Sequence, residues 1–191
     1  MPTIEEYLAD LSSSKPAPGG GSAAAITTSI AISLGLMSIN VSAKRKSYVE
    51  KHSEEERNRV QQIVDWLNRL QKEALEYESK DEEAFNNFMK VYKTGTEEEK
   101  KEASFRCYNV PYLLLELNMR AVNLIMALKP YIVSSITSDY KMALEILKAT
   151  MRSCLLNMDI NLDGVQDEEI SKDCAKAHQE VEKLIKKMEE E

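Results

Sequence analysis

The sequence predicts an all-α protein, a multihelical bundle with long central helices that dimerises through its helices. Three observations lead there. Apolar residues recur at helical spacing, as in Val60, Ile63, Val64, Leu67, Leu70, Ala74 and Leu75. Two capping-box signals, Ser53 with Glu56 and Thr96 with Glu99, stand at the heads of helical stretches. No segment alternates apolar and polar residues as a half-buried strand does.

The elements follow in order. Residues 4–11 form a short amphipathic helix. A long helix is expected to start at Ser22 and run to about residue 48, apolar first and basic toward its end, where Lys44-Arg45-Lys46 complements the helix dipole. The helix capped by Ser53 runs to about Tyr92 and ends at Lys93-Thr94-Gly95. Pro111 lies inside the next helical stretch and should kink it or restart it as a first-turn proline. Residues 112–128 are apolar on most faces, which makes that helix central. Ser138 reads as the N-cap of a second central helix over residues 139–158. Asp163-Gly164 is a turn, and Cys174, Ala177, Val181, Leu184, Ile185 and Met188 line one face of a last helix. Two helices apolar on most faces are hard to cover in one small bundle, which predicts further burial by oligomerising, most simply as a twofold dimer.

The 191 residues are enough for one domain, expected over 1–191, with a sizeable core. A net charge of −7 argues against a nucleic-acid partner. Cys107, Cys154 and Cys174 form no CxxC pair, which favours reduced thiols in a cytoplasmic protein. The histidines, His52 and His178, form no HExxH motif or close Cys/His run, so the spacing predicts no metal site. The opening Met1-Pro2-Thr3-Ile4-Glu5-Glu6 is acidic and is not expected to act as a signal peptide. Residues 23–43 are uncharged and long enough to span a bilayer. Their Ser, Thr, Ala, Gly and Asn40 content suits close helix packing instead, so no membrane contact is expected.

The run Lys15-Pro16-Ala17-Pro18-Gly19-Gly20-Gly21-Ser22-Ala23-Ala24-Ala25 is the main candidate for chemistry. Glycines let other atoms approach the backbone, and a helix start presents free N–H groups to an anion or carbonyl. It equally reads as a rigid turn before a tightly packed helix. The other candidates also have two readings. Asp139 stabilises a helix start or contacts a ligand. Asn157 and Asn161 close a helix C-terminus or contact a ligand. Lys44-Arg45-Lys46 is a solvated helix end or an anion-attracting cluster. Asp81, in a charged stretch, reads from spacing alone as a surface acid. Spacing by itself specifies no reaction.

The ordered set of motifs resembles the cyclodeaminase half of formiminotransferase-cyclodeaminase and its stand-alone relatives, which include methenyltetrahydrofolate cyclohydrolases. The elements are the proline-flanked Gly19-Gly20-Gly21-Ser22, then Arg45-Lys46-Ser47-Tyr48, Asp81-Glu82-Glu83-Ala84-Phe85 and Thr96-Glu97-Glu98-Glu99-Lys100. Val110-Pro111, Ser138-Asp139 and Asn157-Met158-Asp159-Ile160-Asn161-Leu162 follow. The chain departs from relatives at Ile132-Val133-Ser134-Ser135, where a Gly-Asn pair is common, and at Arg152, Leu155 and Leu156, where residues are often small. These changes bear on pocket shape and substrate choice.

The resemblance implies a homodimer or higher even oligomer, a tetrahydrofolate substrate near the dimer interface and no prosthetic group. It implies Asp81 as the catalytic acid/base. It implies substrate binding by Lys15, Pro18, Gly19, Gly20, Gly21, Ser22, Arg45, Lys46, Ser138, Asp139, Asn157 and Asn161. The reaction it favours cyclises 5-formiminotetrahydrofolate to 5,10-methenyltetrahydrofolate with release of ammonia. The alternative is hydrolysis of the methenyl form to 10-formyltetrahydrofolate. A third reading is a non-catalytic folate-binding or helical interaction protein.

Overall fold

The computed structural model describes residues 3–190; Met1 and Pro2, the first residues of the acidic opening, and Glu191 lie outside them. Among the described residues there are seven α-helices and no strand. They are α1 (Ile4–Leu11), α2 (Gly20–Ala43), α3 (Lys46–Lys51), α4 (Glu54–Thr94), α5 (Glu97–Ala127), α6 (Thr137–Leu162) and α7 (Glu168–Glu190), with two short 3-10 turns between α5 and α6.

Helix starts follow the sequence where a capping box exists. Ser53 Oγ accepts from the Glu56 N–H at 3.2 Å while the Glu56 carboxylate accepts from the Ser53 N–H at 2.8 Å. Thr3 with Glu6 and Thr96 with Glu99 do the same at α1 and α5. Where no such box exists, the expected boundaries move. The long helix starts at Gly20 rather than Ser22, because nothing at Ser22 caps it and the glycines accept helical geometry. It ends at Ala43; Lys44 and Arg45 form the break and Lys46 opens α3, so the basic cluster does not lie inside a continuous helix. Ser138 is not an N-cap: α6 begins at Thr137 after a 3-10 turn, and the Ser138 hydroxyl donates to Asp139 Oδ2 at 3.3 Å. Asn157 and Asn161 close no C-terminus in left-handed geometry, since α6 runs through both to Leu162.

Helices α2, α4, α5 and α6 form an up-down-up-down four-helix bundle. The register is legible in cross-helix bonds. The Ser29 hydroxyl donates to the Gln71 carbonyl at 3.1 Å, and the Ser22 N–H to Asp81 at 3.0 Å, so α2 and α4 run antiparallel. Helix α7 packs mainly on the outside of α6. The core includes Ile32, Ile39, Leu67, Leu117, Leu147 and Met151, all fully buried. Burying each such side chain contributes roughly 1.5–3 kcal/mol.

Inside this core Asn118 ties three helices. Its Oδ1 accepts from the Thr28 hydroxyl at 3.1 Å and the Thr150 hydroxyl at 2.7 Å, and its amide donates to the Leu114 carbonyl at 2.8 Å. A satisfied buried network of this kind fixes register. Helix α2 is long and apolar enough to cross a bilayer, but 61% of its apolar window is buried within the bundle. Its outer face carries Ile30, Ser33, Met37 and Asn40, exposed at helical spacing.

Candidate functional site

At one end of the bundle the start of α2 meets the middle of α4. Asp81 Oδ2 accepts the Ser22 N–H at 3.0 Å. The carboxylate therefore occupies the free N–H end of α2, the place a capping side chain would take. Only a glycine at position 21 permits this: a Cβ there would stand 2.0 Å from Asp81 Oδ1. The other two glycines are less constrained. A Cβ on Gly20 would make ordinary contact with Asn157 Oδ1 at 3.5 Å, and one on Gly19 would meet nothing.

Two effects compete on Asp81. Burial disfavours its charged form, and the Ser22 N–H favours it; burial wins and the pKa is raised, with the nearby Glu82 charge adding to the rise. A carboxyl group in this setting can hold a proton and release it at higher pH than a surface acid. The Ser22 hydroxyl shares a 2.9 Å hydrogen bond with the Tyr7 hydroxyl, which ties α1 to the start of α2.

Asp81 opens onto a cavity of about 370 Å³. Gly19, Gly20, Gly21, Asn157 and Asn161 line it, together with Pro16, Ala17, Phe85, Cys107 and Ile160. One wall is set by Pro111. Helix α5 continues through it rather than restarting. Proline has no N–H, so the carbonyl four residues earlier, that of Cys107, loses its helical donor. The Asn161 amide supplies one from α6 at 3.1 Å and also donates to the Asn157 carbonyl at 2.8 Å. Burial, with the Asp81 charge adding, pushes the Cys107 thiol up to about 11, so it stays neutral and is no nucleophile at pH 7.

A family model described as formiminotransferase-cyclodeaminase matches residues 3–180. The chain belongs to the formiminotransferase-cyclodeaminase family. A methenyltetrahydrofolate cyclohydrolase of Methylorubrum extorquens is 31% identical over 176 residues, which is 86% of this chain and 81% of that protein. The crystal structure of a formiminotetrahydrofolate cyclodeaminase from Thermotoga maritima matches with a TM-score of 0.88 at 24% identity, covering 98% of this chain and 91% of that one. That likeness establishes that the family's helical fold is the fold seen here.

The remaining sequence candidates in this family member fall elsewhere. Lys15 is exposed and pairs with Asp10 at 2.6 Å, and Pro18 sits in the loop without lining the cavity. Arg45 and Lys46 are exposed beyond the far end of α2, and 24 residues of helix place them about 35 Å from Gly20. Ser138 and Asp139 lie at that same far end, beside Val133, whose N–H donates to the Ser42 hydroxyl at 3.0 Å. One chain thus gathers the glycines, Asp81, Asn157 and Asn161, and separates them from Arg45, Lys46, Ser138 and Asp139. Reading the sequence missed Tyr7, Phe85, Cys107 and Ile160. Cys107 had a signal, its position four residues before Pro111.

Proposed function

We propose that this chain acts on the one-carbon bridge between N5 and N10 of tetrahydrofolate, with Asp81 as the acid/base. The observation that carries the reading is the Asp81 carboxyl, half-buried with a raised pKa against Gly21 and the Ser22 N–H at the cavity wall. The cyclohydrolase reaction comes first, because the relative that is 31% identical over most of both chains carries that name. Water adds to the bridge carbon of 5,10-methenyltetrahydrofolate, and Asp81 takes its proton. The carbon–N5 bond then breaks as Asp81 returns that proton to N5. The remaining hydroxyl proton leaves to solvent, giving 10-formyltetrahydrofolate. One carboxyl of suitable pKa serves both transfers. The second reading is the cyclodeaminase reaction, favoured by the ordered motifs. There N10 attacks the carbon of the protonated formimino group of 5-formiminotetrahydrofolate, Asp81 moves the N10 proton to the departing nitrogen, and ammonia leaves as the methenyl cation forms.

The split between the two ends of the bundle supports a composite site. Twofold antiparallel pairing of α2 through Ile30, Ser33, Met37 and Asn40 would bring the cavity of one protomer to the Arg45 and Ser138 end of another. Arg45 and Lys46 would then attract the anionic glutamate tail of the folate, and Ser138 and Asp139 would meet its polar ring edges. Near-ultraviolet absorbance of the methenyl chromophore tests the reading with each folate offered separately. Faster decay from the methenyl form supports the cyclohydrolase. Growth from the formimino form with ammonia release supports the cyclodeaminase. Silence with both would leave a binding or interaction protein.

A further inference from the structure

A second cluster lies outside the folate cavity, on the opposite side of α6. Asp159 turns toward α7, where Cys174 and His178 stand one helical turn apart on the same face. Asp159 Oδ1 is 2.9 Å from His178 Nε2 and 3.6 Å from Cys174 Sγ. All three donor atoms lie within 4.8 Å of one another. We propose that Asp159, Cys174 and His178 bind a zinc-class divalent cation that clamps α7 onto α6.

The spacing fits that ion. Tetrahedral zinc, with bonds of about 2.3 Å to sulfur and about 2.0 Å to nitrogen and oxygen, sets its ligands roughly 3.3–3.6 Å apart. The two separations from Asp159 need shifts of only a few tenths of an ångström, and the Cys174–His178 pair, within 4.8 Å, closes by a side-chain rotation on one helix face. The donor set selects the class: a thiolate and an imidazole favour zinc over the hard magnesium and calcium ions, which take oxygen. The side chains of His178 and Asp159 remain 43% and 45% exposed, so an ion enters from solvent and water fills the fourth position.

A separate observation comes from α5. The Tyr108 hydroxyl is buried with no hydrogen bond of good geometry, and it interacts with the Cys174 thiol. A thiol is a weak acceptor, whereas a metal-bound thiolate is a strong one. Cation binding, with loss of the thiol proton to solvent, would give this phenol the acceptor that a buried donor requires. Tyr108 then serves as the outer partner that orients the sulfur ligand. Tyr108 follows Cys107, a wall of the folate cavity, so α5 and α6 each contribute to both places. None of the three ligands lines that cavity.

The test uses the full chain, stripped with a chelator and titrated with cobalt(II) and then zinc. The expected result is one equivalent of cobalt with the visible bands of a tetrahedral site and a near-ultraviolet thiolate-to-cobalt band, displaced by zinc. Cys174→Ser should lose the thiolate band. His178→Ala, at a half-exposed position, should fold and lose at least about tenfold in zinc affinity, and Tyr108→Phe about tenfold with the band retained. Zinc should raise the melting temperature of the unmodified protein and not that of His178→Ala. Three results would overturn the proposal. They are no thiolate band, the same band in Cys174→Ser, or zinc affinity unchanged in His178→Ala, which would leave a simple Asp159–His178 ion pair. None of these readouts depends on folate turnover.

Discussion

Asp81 sits where two opposing effects are closely placed, and burial prevails over the Ser22 N–H. If it begins the reaction as a base, kcat/KM must fall as acid protonates it. The midpoint of that fall should lie above that of an ordinary aspartate. Glu82→Gln removes the neighbouring charge that helps raise Asp81, so a pH–rate profile should show the acid limb moved to lower pH. Gly21 tests the same residue through space. Gly21→Ala puts a Cβ 2.0 Å from Asp81 Oδ1, so the carboxyl must swing off the Ser22 N–H. A displacement of that size costs on the order of 100-fold in rate. Gly20→Ala, with only a 3.5 Å contact to Asn157, should change the rate by a few-fold at most. Steady-state kinetics on the two variants, with circular dichroism as a check on folding, separates them.

At the scale of elements, Pro111 and Asn161 form one device across α5 and α6. Asn161→Ala leaves the Cys107 carbonyl without a donor and should cost about 1–3 kcal/mol by urea denaturation. In a Pro111→Ala background the restored N–H can reach that carbonyl, so the same change should cost much less. Equal costs in both backgrounds would break the link. This device also shows what the sequence could disclose. Helix starts with a capping box were readable at Thr96 and Ser53, because donor and acceptor lie three residues apart. The start at Gly20 and the loss of Ser138 as a cap were not, because tertiary contacts and a 3-10 turn set them. Pro111 announced an irregularity. Its repair by Asn161 is a contact between residues 54 apart, which no local pattern encodes. The same holds for the Asp81 pairing with the start of α2, 59 residues away, which only the family resemblance pointed to. The spacing of Cys174 and His178 alone predicted no metal site, because Asp159 completes their cluster from another helix.

At the scale of the whole molecule, the candidate residues occupy two ends of one bundle, and the exposed stripe on α2 runs between them. If pairing along that stripe completes the site, Ile30→Glu with Met37→Glu should convert dimer to monomer in analytical ultracentrifugation. Turnover should fall with it while helical content holds. A monomeric variant with full turnover would remove the need for a second copy. The assignment of proton transfer to Asp81 is tested most directly by Asp81→Asn. Asparagine can still accept the Ser22 N–H and cannot shuttle a proton. The raised pKa means the folded state binds the Asp81 proton more tightly than the unfolded chain does. Its ionisation therefore costs stability as pH rises from the ordinary carboxylate value through the raised one. At pH 7 the variant should melt no lower than the parent and bind folate nearly as well. The decisive measurement is its methenyl-chromophore kinetics with both folates: the expected result is a loss of about 100- to 10,000-fold in rate, and near-parent turnover would contradict the assignment.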